Sequence, residues 1–230
     1  MHGTTGADSV IERGKHDADA AAMAMISSFA PLPSGETIRV TWPTPNHWLR
    51  TAPEKFFART RANPDYGQPG FTRDCGKRFH RGCDIAPVQV TATGRMTRVV
   101  FTDGATGQDY ESDEPTWVPH DPVCCVCDGI VHEVVSDESA SDFGQHVVIE
   151  HRWPGSGEKF FTLYGHLSEI FIPHPSSPIR RGAEIGRMGQ TSRNADARNW
   201  LRIAPHLHFE VWNAARQPYH PVEFLRRFLE

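Results

Sequence analysis

Between residues 80 and 212, short apolar runs alternate with polar turns, a pattern typical of β-strands. The runs are rich in Val, Ile, Phe and Thr, and Gly, Pro, Asp and Ser separate them. No long segment with a 3.6-residue period lies between them. The predicted strands are 82–86, 97–102, 123–135 with a break at Asp128-Gly129, 146–151, 160–166, 184–188 and 206–212. We therefore predict a mostly β protein built from antiparallel sheets that form a groove.

The segments on either side of this region have other patterns. Residues 1–34 are polar, then Ala-rich, and end in a Pro/Gly cluster, which predicts an N-terminal extension that is partly helical or disordered. Residues 35–230 are predicted to form one domain. Within it, residues 36–79 are rich in proline and favour irregular structure with one or two strands, whereas residues 221–230 favour a helical turn. Short helical pieces should therefore accompany the sheets.

Composition and charge exclude several function classes. The chain has 230 residues, of which 23% are charged, and a net charge of −4, so nothing favours a nucleic-acid partner. No apolar run approaches 18 residues, and we predict no membrane span. Residues 20–30 are rich in Ala and Met, as in a signal peptide. Because acidic Asp17 and Asp19 flank this late stretch, a short amphipathic or frayed helix is the favoured interpretation.

The five cysteines leave two structural alternatives open. They are Cys75, Cys83, Cys124, Cys125 and Cys127, an odd number whose spacing gives weak support to a structural zinc site. Cys75 and Cys83 could form a disulfide in an oxidising compartment, although small buried apolar residues are the favoured interpretation. Cys125 and Cys127 would share one face of a strand, so a second metal site there is the alternative to core packing.

The candidate chemistry concentrates in two short motifs. Side chains in a strand alternate faces, so His206 and His208 point the same way. His80 and Asp84 are an even four residues apart, and an extended segment would aim both at one face. A catalytic zinc takes three protein ligands and a water, and we assign these ligands to His80, Asp84 and His208. Each motif alone also occurs by chance.

Two further histidines lie outside that ligand set. A zinc hydrolase needs a base for the attacking water and a donor for the developing oxyanion, and histidine suits both roles near neutral pH. His206 must lie near the metal because it shares the face of His208. His166 follows an aromatic strand and could reach the opposite rim. We therefore predict that His166 and His206 are catalytic.

Several ordered motifs together resemble peptidase family M23, the LytM/lysostaphin-type zinc metallopeptidases. They span about residues 70–225 and run in the order found in the family. They are Phe79-His80-Arg81-Gly82-Cys83-Asp84-Ile85, the strand and turn at 122–131, Tyr164-Gly165-His166-Leu167, the glycine-rich runs 181–186 and 189–192, and His206-Leu207-His208-Phe209-Glu210-Val211. The family usually has a hydrophobic residue where Cys83 stands.

This resemblance implies a fold, a cofactor and a substrate. The expected fold is an antiparallel LytM/lysostaphin-like peptidase domain of the duplicated-hybrid-motif type. One Zn²⁺ ion would be bound by His80, Asp84 and His208, while His166 and His206 assist the water and the tetrahedral intermediate. The implied partner is the peptide part of peptidoglycan, cut at Gly–Gly or D-amino-acid cross-links. The implied location is extracytoplasmic, and a monomer is favoured.

Two insertions depart from the family pattern. Residues 88–121 predict an added hairpin and loop, and residues 193–204 replace a short link. Both could edge the cleft or be plain solvated loops; if functional, the arginines would pair with peptide carboxylates. The candidate substrate-binding residues are Arg193, Arg198, Arg202, Trp200 and Tyr164. Histidines without a matching motif are predicted to be exposed or satisfied by hydrogen bonds, namely His120, His132, His146, His151, His174 and His220.

The sequence leaves three functions to be distinguished. The first is a zinc endopeptidase that cuts stem peptides or cross-links of peptidoglycan. The second is a non-catalytic module that binds the wall or activates other wall hydrolases, which the five filled positions argue against. The third is a zinc peptidase with a peptide substrate outside the wall, which the insertions and the lack of a convincing signal peptide keep open.

Overall fold

A computed structural model gives the fold of most of the chain. It describes residues 28–60, 63–88, 121–172, 174–195 and 205–229, and the backbone alone of 96–97, 100–102, 109–111 and 116–117. The strands are β1 (Gly70–Arg73), β2 (Arg78–His80), β3 (Cys83–Ile85), β4 (Met96–Thr97), β5 (Val100–Thr102), β6 (Asp109–Glu111), β7 (Thr116–Trp117), β8 (Pro122–Cys124), β9 (Gly129–Val135), β10 (Gln145–Arg152), β11 (Lys159–Ile170), β12 (Pro178–Ile179), β13 (Glu184–Met188), β14 (Leu207–Asn213) and β15 (Pro218–Tyr219). The helices are α1 (Pro53–Phe56) and α2 (Pro221–Phe228).

Most described strands belong to one antiparallel sheet. Its path runs β12-β9-β10-β11-β13-β8, and β14 joins it by pairing with β11, β15 and β3. The predicted fold class, mostly β with short helical pieces, is confirmed. The break predicted at Asp128-Gly129 lies earlier, at residues 125–128, and Gly129 already begins β9. Strand β11 is longer than predicted and extends to Ile170.

Strand β11 changes partner along its length. Its first half, from Phe160 to Gly165, pairs with β14, and its last residues, from Leu167, pair with β13. His166 lies between the two halves, and a bridge joins Gly189 after β13 to His206 before β14. The sheet therefore divides at His166, where β13 ends and β14 begins.

The core lies on one face of this sheet and is closed by α2. Trp153 stacks on Phe160 with ring centroids 4.3 Å apart. In α2, Phe224 packs against both of these rings, and Phe228 packs against Trp153. Pro221 begins the helix, and the His220 side chain accepts a hydrogen bond from the backbone N–H of Glu223. Each buried phenylalanine contributes about 2–3 kcal/mol through removal of apolar area from water.

The segment before the predicted domain boundary contacts the core from outside. The Phe29 ring lies 4.8 Å from that of Phe79 and 4.7 Å from that of His220, centroid to centroid. The backbone N–H of Ala30 donates to the carbonyl of Pro218 over 2.8 Å. These contacts extend the packed part of the chain to residue 29. Most of the predicted extension, residues 1–27, lies outside the described residues.

The predicted insertion at 88–121 contains two antiparallel strand pairs. Strand β4 pairs with β7, and β5 pairs with β6. The β5–β6 pair lies between β4 and β7 in the sequence, so the two pairs are nested. The rest of this insertion lies outside the described residues. No helix among the described residues is long and apolar enough to cross a membrane.

Candidate metal centre

Strands β2, β3 and β14 bring together three side chains of the kinds that bind metals. His80 ends β2, Asp84 lies in β3, and His208 stands directly opposite Asp84 in the β3–β14 pair. All three are buried. The Nδ1 of His208 lies 2.9 Å from Oδ1 of Asp84 and 3.3 Å from Nε2 of His80, which is itself 3.3 Å from Oδ1 of Asp84. These are the only three residues of metal-binding type that cluster so closely in the described part of the chain.

Hydrogen bonds outside the triangle orient both imidazoles. The Nδ1 of His80 donates to the carbonyl of Gln68 over 2.8 Å, which leaves Nε2 with the lone pair. The Nε2 of His208 donates to Oε1 of Glu210 over 2.9 Å, which turns Nδ1 toward Asp84. Metal-binding histidines commonly have such outer hydrogen bonds, which fix the tautomer and the ring.

The triangle of donor atoms fits a tetrahedral zinc ion. Ligands about 2.0–2.1 Å from zinc at tetrahedral angles lie about 3.3 Å from one another. The three observed separations are 2.9, 3.3 and 3.3 Å. Two nitrogens and one carboxylate oxygen are also ligands of the kind that zinc prefers. The residues His80, Asp84 and His208 could therefore hold zinc, with the fourth position left for water.

The charges around this triangle favour ionised carboxylates and a protonated His208. Burial opposes the charge on His208, but its hydrogen bonds to Asp84 and Glu210 outweigh burial and raise its pKa to about 9. Burial would also raise the pKa of Asp84, yet the Arg73 guanidinium and the nearby histidines hold that pKa well below its usual range. Burial together with the charge of Arg73 lowers the pKa of His80 to about 4, so this ring is neutral at pH 7.

His166 reaches the same face as His208 because of a β-bulge. Leu163 and Gly165 stand opposite Glu210 and His208 across the β11–β14 pair. Simple alternation would turn the next residue to the other face. Against β10, however, the register shifts between the Gln145↔Leu167 and Val147↔Tyr164 pairs, so β11 contains one extra residue there. His166 has a φ of +62° at this bulge, and its ring lies 5.7 Å from that of His208.

His166 and His206 form a second pair beside the metal triangle. Their ring centroids are 4.8 Å apart, and Nε2 of His206 lies 3.5 Å from Oδ2 of Asp84. The Nδ1 of His166 donates to the carbonyl of Thr191 over 2.8 Å, so Nε2 carries the lone pair. Burial and the neighbouring His206 and His208 lower the pKa of His166, which favours the neutral ring that a general base requires.

The chain between His80 and Asp84 departs from the predicted extended segment. A bend at Arg81 and Gly82 separates β2 from β3, so the two side chains meet through a turn and not through strand alternation. A Cβ atom at Gly82 would lie 2.7 Å from the carbonyl oxygen of Phe209 and 2.8 Å from Cε1 of His208. Glycine is therefore needed for β14 to approach this close.

Two residues of the site were not assigned a role from the sequence. Glu210 orients His208 and would have been found by alternation, because positions 206, 208 and 210 share one face of β14. Arg73 lies in β1, and its Nη2 donates to Oδ2 of Asp84 and lies 3.0 Å from Nε2 of His80. No spacing in the sequence connects Arg73 to the metal motifs.

Two of the candidate substrate-binding residues, Tyr164 and Arg193, lie in the described part of the chain. Tyr164 is fully buried, its hydroxyl accepts from the backbone N–H of Val126, and it packs on Phe209, so its assignment as a substrate contact is wrong. Arg193 is exposed and pairs with Asp142, with Nε 2.7 Å from Oδ1. The other three, Arg198, Trp200 and Arg202, lie outside the described residues.

The cysteines and the remaining histidines do not add a second metal centre in the described part. All five cysteines are free thiols; Cys75 is exposed and Cys83 is buried, so they do not form a disulfide. The predicted burial is confirmed for Cys83, Cys125 and Cys127, whereas Cys124 is half-buried and Cys75 is exposed. His146 and His151 are buried with hydrogen-bond partners, His220 caps α2, and His132 and His174 are exposed, as predicted. His120 lies outside the described residues.

Comparison with known proteins gives a family match and several similar structures. The model of peptidase family M23 matches residues 103–221, which include His166, His206 and His208 but not His80 and Asp84. The catalytic domain of the antimicrobial peptidase lysostaphin from Staphylococcus simulans is 17% identical, with 80% of this chain and 98% of that chain covered and a TM-score of 0.46. A variant of the catalytic domain of the prophage-encoded M23 protein EnpA from Enterococcus faecalis is 18% identical. The match covers 72% of this chain and 88% of that chain, with a TM-score of 0.42. A zinc containing peptidase from Vibrio cholerae is 27% identical. The match covers 58% of this chain and 37% of that chain, with a TM-score of 0.34.

Proposed function

The chain belongs to peptidase family M23, and from this premise we propose that it is a zinc-dependent endopeptidase that hydrolyses peptide bonds in peptidoglycan. The bonds would lie in stem peptides or in cross-links, and the protein would act outside the cytoplasm on a wall peptide. One observation carries the proposal, namely the triangle of His80 Nε2, Asp84 Oδ1 and His208 Nδ1, whose edges of 2.9–3.3 Å suit one zinc ion.

The proposed division of roles follows from the hydrogen bonds of each side chain. Zinc, when bound, would polarise the scissile carbonyl and lower the pKa of the attacking water. His166 is held by the carbonyl of Thr191 with its Nε2 unprotonated, so it would take the proton that the water gives up. As the C–O bond forms and the C–N bond breaks, the same ring would return the proton to the leaving amine.

His206 would act on the oxyanion that develops at the scissile carbonyl. Its Nε2 lies 3.5 Å from Oδ2 of Asp84, and its ring lies beside that of His166. An imidazole carries at least one N–H in either protonation state, so the ring of His206 can donate a hydrogen bond. Such a fixed donor stabilises charge that appears only in the transition state.

Digestion of purified peptidoglycan tests the proposal directly. The zinc-loaded protein should release fragments with new amino termini, which mass spectrometry assigns to one bond. Chelation should abolish the release, and zinc should restore it. His208→Ala should lose both zinc and release, whereas His132→Ala, an exposed histidine of β9, should behave like the unaltered protein. Release that persists in His208→Ala would exclude the catalytic assignment.

The same experiment separates the other two functions. Protein that sediments with the wall and takes up zinc but releases no new termini would support a non-catalytic binding or activating module. Protein that leaves the wall intact but cleaves soluble peptides in a zinc-dependent way would support a peptidase with another substrate.

A further inference from the structure

Arg73 is fixed against the metal triangle by two interactions. One guanidinium nitrogen, Nη2, donates to Oδ2 of Asp84 and lies 3.0 Å from Nε2 of His80. The guanidinium carbon lies 3.5 Å from the centre of the Tyr66 ring, a stacked cation–π contact. Arg73 is only 5% exposed, so its position is set by packing as well as by charge. The side chain is therefore rigid at the point where the candidate metal ligands meet.

The second terminal nitrogen of Arg73 has no partner in the described part of the chain. Nη1 is buried and makes no hydrogen bond to a described residue. Buried polar groups are nearly always hydrogen-bonded, and an ionised donor without a partner is especially unfavourable. Because the guanidinium is planar and rigid, Nη1 must lie in the same plane as Nη2, beside the donor triangle. The site thus holds a fixed, buried, charged N–H group that lacks the acceptor oxygen such a group normally contacts.

We propose that Arg73 is a further catalytic residue, which donates from Nη1 to the carbonyl oxygen of the scissile peptide as that oxygen becomes negatively charged. This inference rests on the proposed peptidase function. Nη2 would stay on Oδ2 of Asp84, which leaves Oδ1 for the metal. Arg73 makes no covalent bond and transfers no proton in this role. It adds a second donor to the one expected from His206 and suits an oxyanion better than a neutral carbonyl.

Arg81 is a useful contrast because it is also buried with unpaired donors. Its Nη2 donates to the carbonyl of Arg216 over 3.1 Å and lies 3.8 Å from Oε2 of Glu210. Glu210 contacts His208 from the side away from Asp84, so Arg81 reaches the metal triangle only through another residue. Of these two arginines, Arg73 alone contacts the candidate ligands directly.

Replacement by lysine separates a donor role from a positioning role. Arg73→Lys keeps one positive nitrogen that can hold Oδ2 of Asp84 but removes the second nitrogen. If Arg73 only neutralises and positions Asp84, lysine should restore function. If Nη1 binds the oxyanion, Arg73→Lys should bind zinc as the unaltered protein does and still be impaired. Arg78→Lys is the matched control, because Arg78 lies on the same hairpin and its side chain is 63% exposed.

Three measurements on the zinc-loaded full chain test this role. Zinc stoichiometry and affinity should change less than about threefold in Arg73→Lys. Its affinity for inorganic phosphate, a tetrahedral oxyanion, should fall about 10- to 100-fold by titration calorimetry, and kcat on peptidoglycan peptides should fall by a similar factor with little change in KM. Arg78→Lys should match the unaltered protein in all three. Phosphate affinity and kcat retained within threefold in Arg73→Lys would overturn the inference.

The phosphate measurement keeps this inference separate from the peptidase proposal. If the unaltered protein cleaves no peptide but Arg73→Lys still weakens phosphate binding, the peptidase proposal fails and the oxyanion contact stands. If the protein cleaves peptide and Arg73→Lys is fully active, only the inference about Arg73 fails. Should Arg73→Lys not fold, Arg73→Ala gives a second test, since added guanidinium ion should restore phosphate binding and ammonium ion should not. Equal rescue by both ions would contradict a role that needs two nitrogens.

Discussion

Oε1 of Glu210 lies 2.9 Å from Nε2 of His208, two residues earlier on the same face of β14. The other carboxylate oxygen accepts from Nε1 of Trp212 over 2.6 Å. Burial opposes the negative charge of Glu210, but the charge of Arg81 and the hydrogen bond with His208 lower its pKa to about 2. Glu210 is therefore an ionised, fixed acceptor, and it sets which nitrogen His208 turns toward the candidate metal site.

Glu210→Gln should weaken zinc binding about 10- to 100-fold, as is usual when an outer hydrogen bond to a metal-binding histidine is lost. Glutamate accepts from both His208 and Trp212, but glutamine has a single acceptor oxygen, so one N–H would face the amide NH2 group. Competition with a chromogenic chelator measures the affinity. Glu150→Gln is the control, since Glu150 lies on β10, which β11 separates from β14, and pairs with Lys159. Equal affinities for both variants and the unaltered protein would exclude the orienting role.

Zinc binding should release about one proton between pH 7 and pH 8.5. The pKa of His208, raised to about 9, keeps both of its nitrogens protonated in the metal-free protein. An ion that takes Nδ1 must displace that proton, so the binding constant should rise about tenfold for each pH unit in this range. Calorimetry in two buffers of different ionisation enthalpy gives the number of protons released. A binding constant that does not vary with pH would contradict this assignment.

The metal-free protein should lose stability as the pH rises from 7 to 9. The pKa of His208 is raised on folding from 6.5 to about 9, so its contribution is fully present below pH 6.5 and is lost as the pH passes through 9. Urea unfolding with a chelator present measures the free energy at each pH. His208→Gln should reduce this dependence. A dependence of the same size in His208→Gln would place its origin elsewhere in the molecule.

Gly82→Ala should lower the free energy of unfolding by about 1–3 kcal/mol and weaken zinc binding. The new methyl group would lie 2.7 Å from the carbonyl oxygen of Phe209, so β3 and β14 would have to move apart where Asp84 faces His208. Thermal and urea unfolding measure the cost. Gly155→Ala is the comparison, because its methyl group would meet the end of the Glu36 side chain at 3.1 Å. Similar effects of the two substitutions would contradict a special need for close approach at Gly82.

The parts of the site that follow strand alternation could be predicted from the sequence. The position of His206 beside the metal triangle follows from its two-residue separation from His208, and the structure shows it. The assignment of Tyr164 as a substrate contact was wrong because the sequence does not say which face of β11 is covered by the core. Its neighbours at positions 163 and 165 face His208, so Tyr164 itself points into the core.

Other features depend on the third dimension and leave no local signal. The bulge at His166 is a register shift against β10 and appears only when both strands are seen. Arg73 reaches Asp84 because β1 folds back on β2, and an arginine in a short strand looks like any exposed charge. The turn at Gly82, which replaces the predicted extended segment, arises because β2 and β3 pair with different strands.

The left-handed backbone at His166 makes this position replaceable in a way that the others are not. The main chain here has a φ of +62°, and the backbone N–H of His166 donates a hydrogen bond to the carbonyl of Phe143 over 2.7 Å. Neither feature depends on the imidazole. Asparagine and aspartate adopt this conformation more readily than other residues with a side chain, whereas β-branched residues rarely do. Protein engineers could therefore exchange the imidazole at position 166 for an amide or a carboxylate while the backbone and the three candidate ligands keep their places.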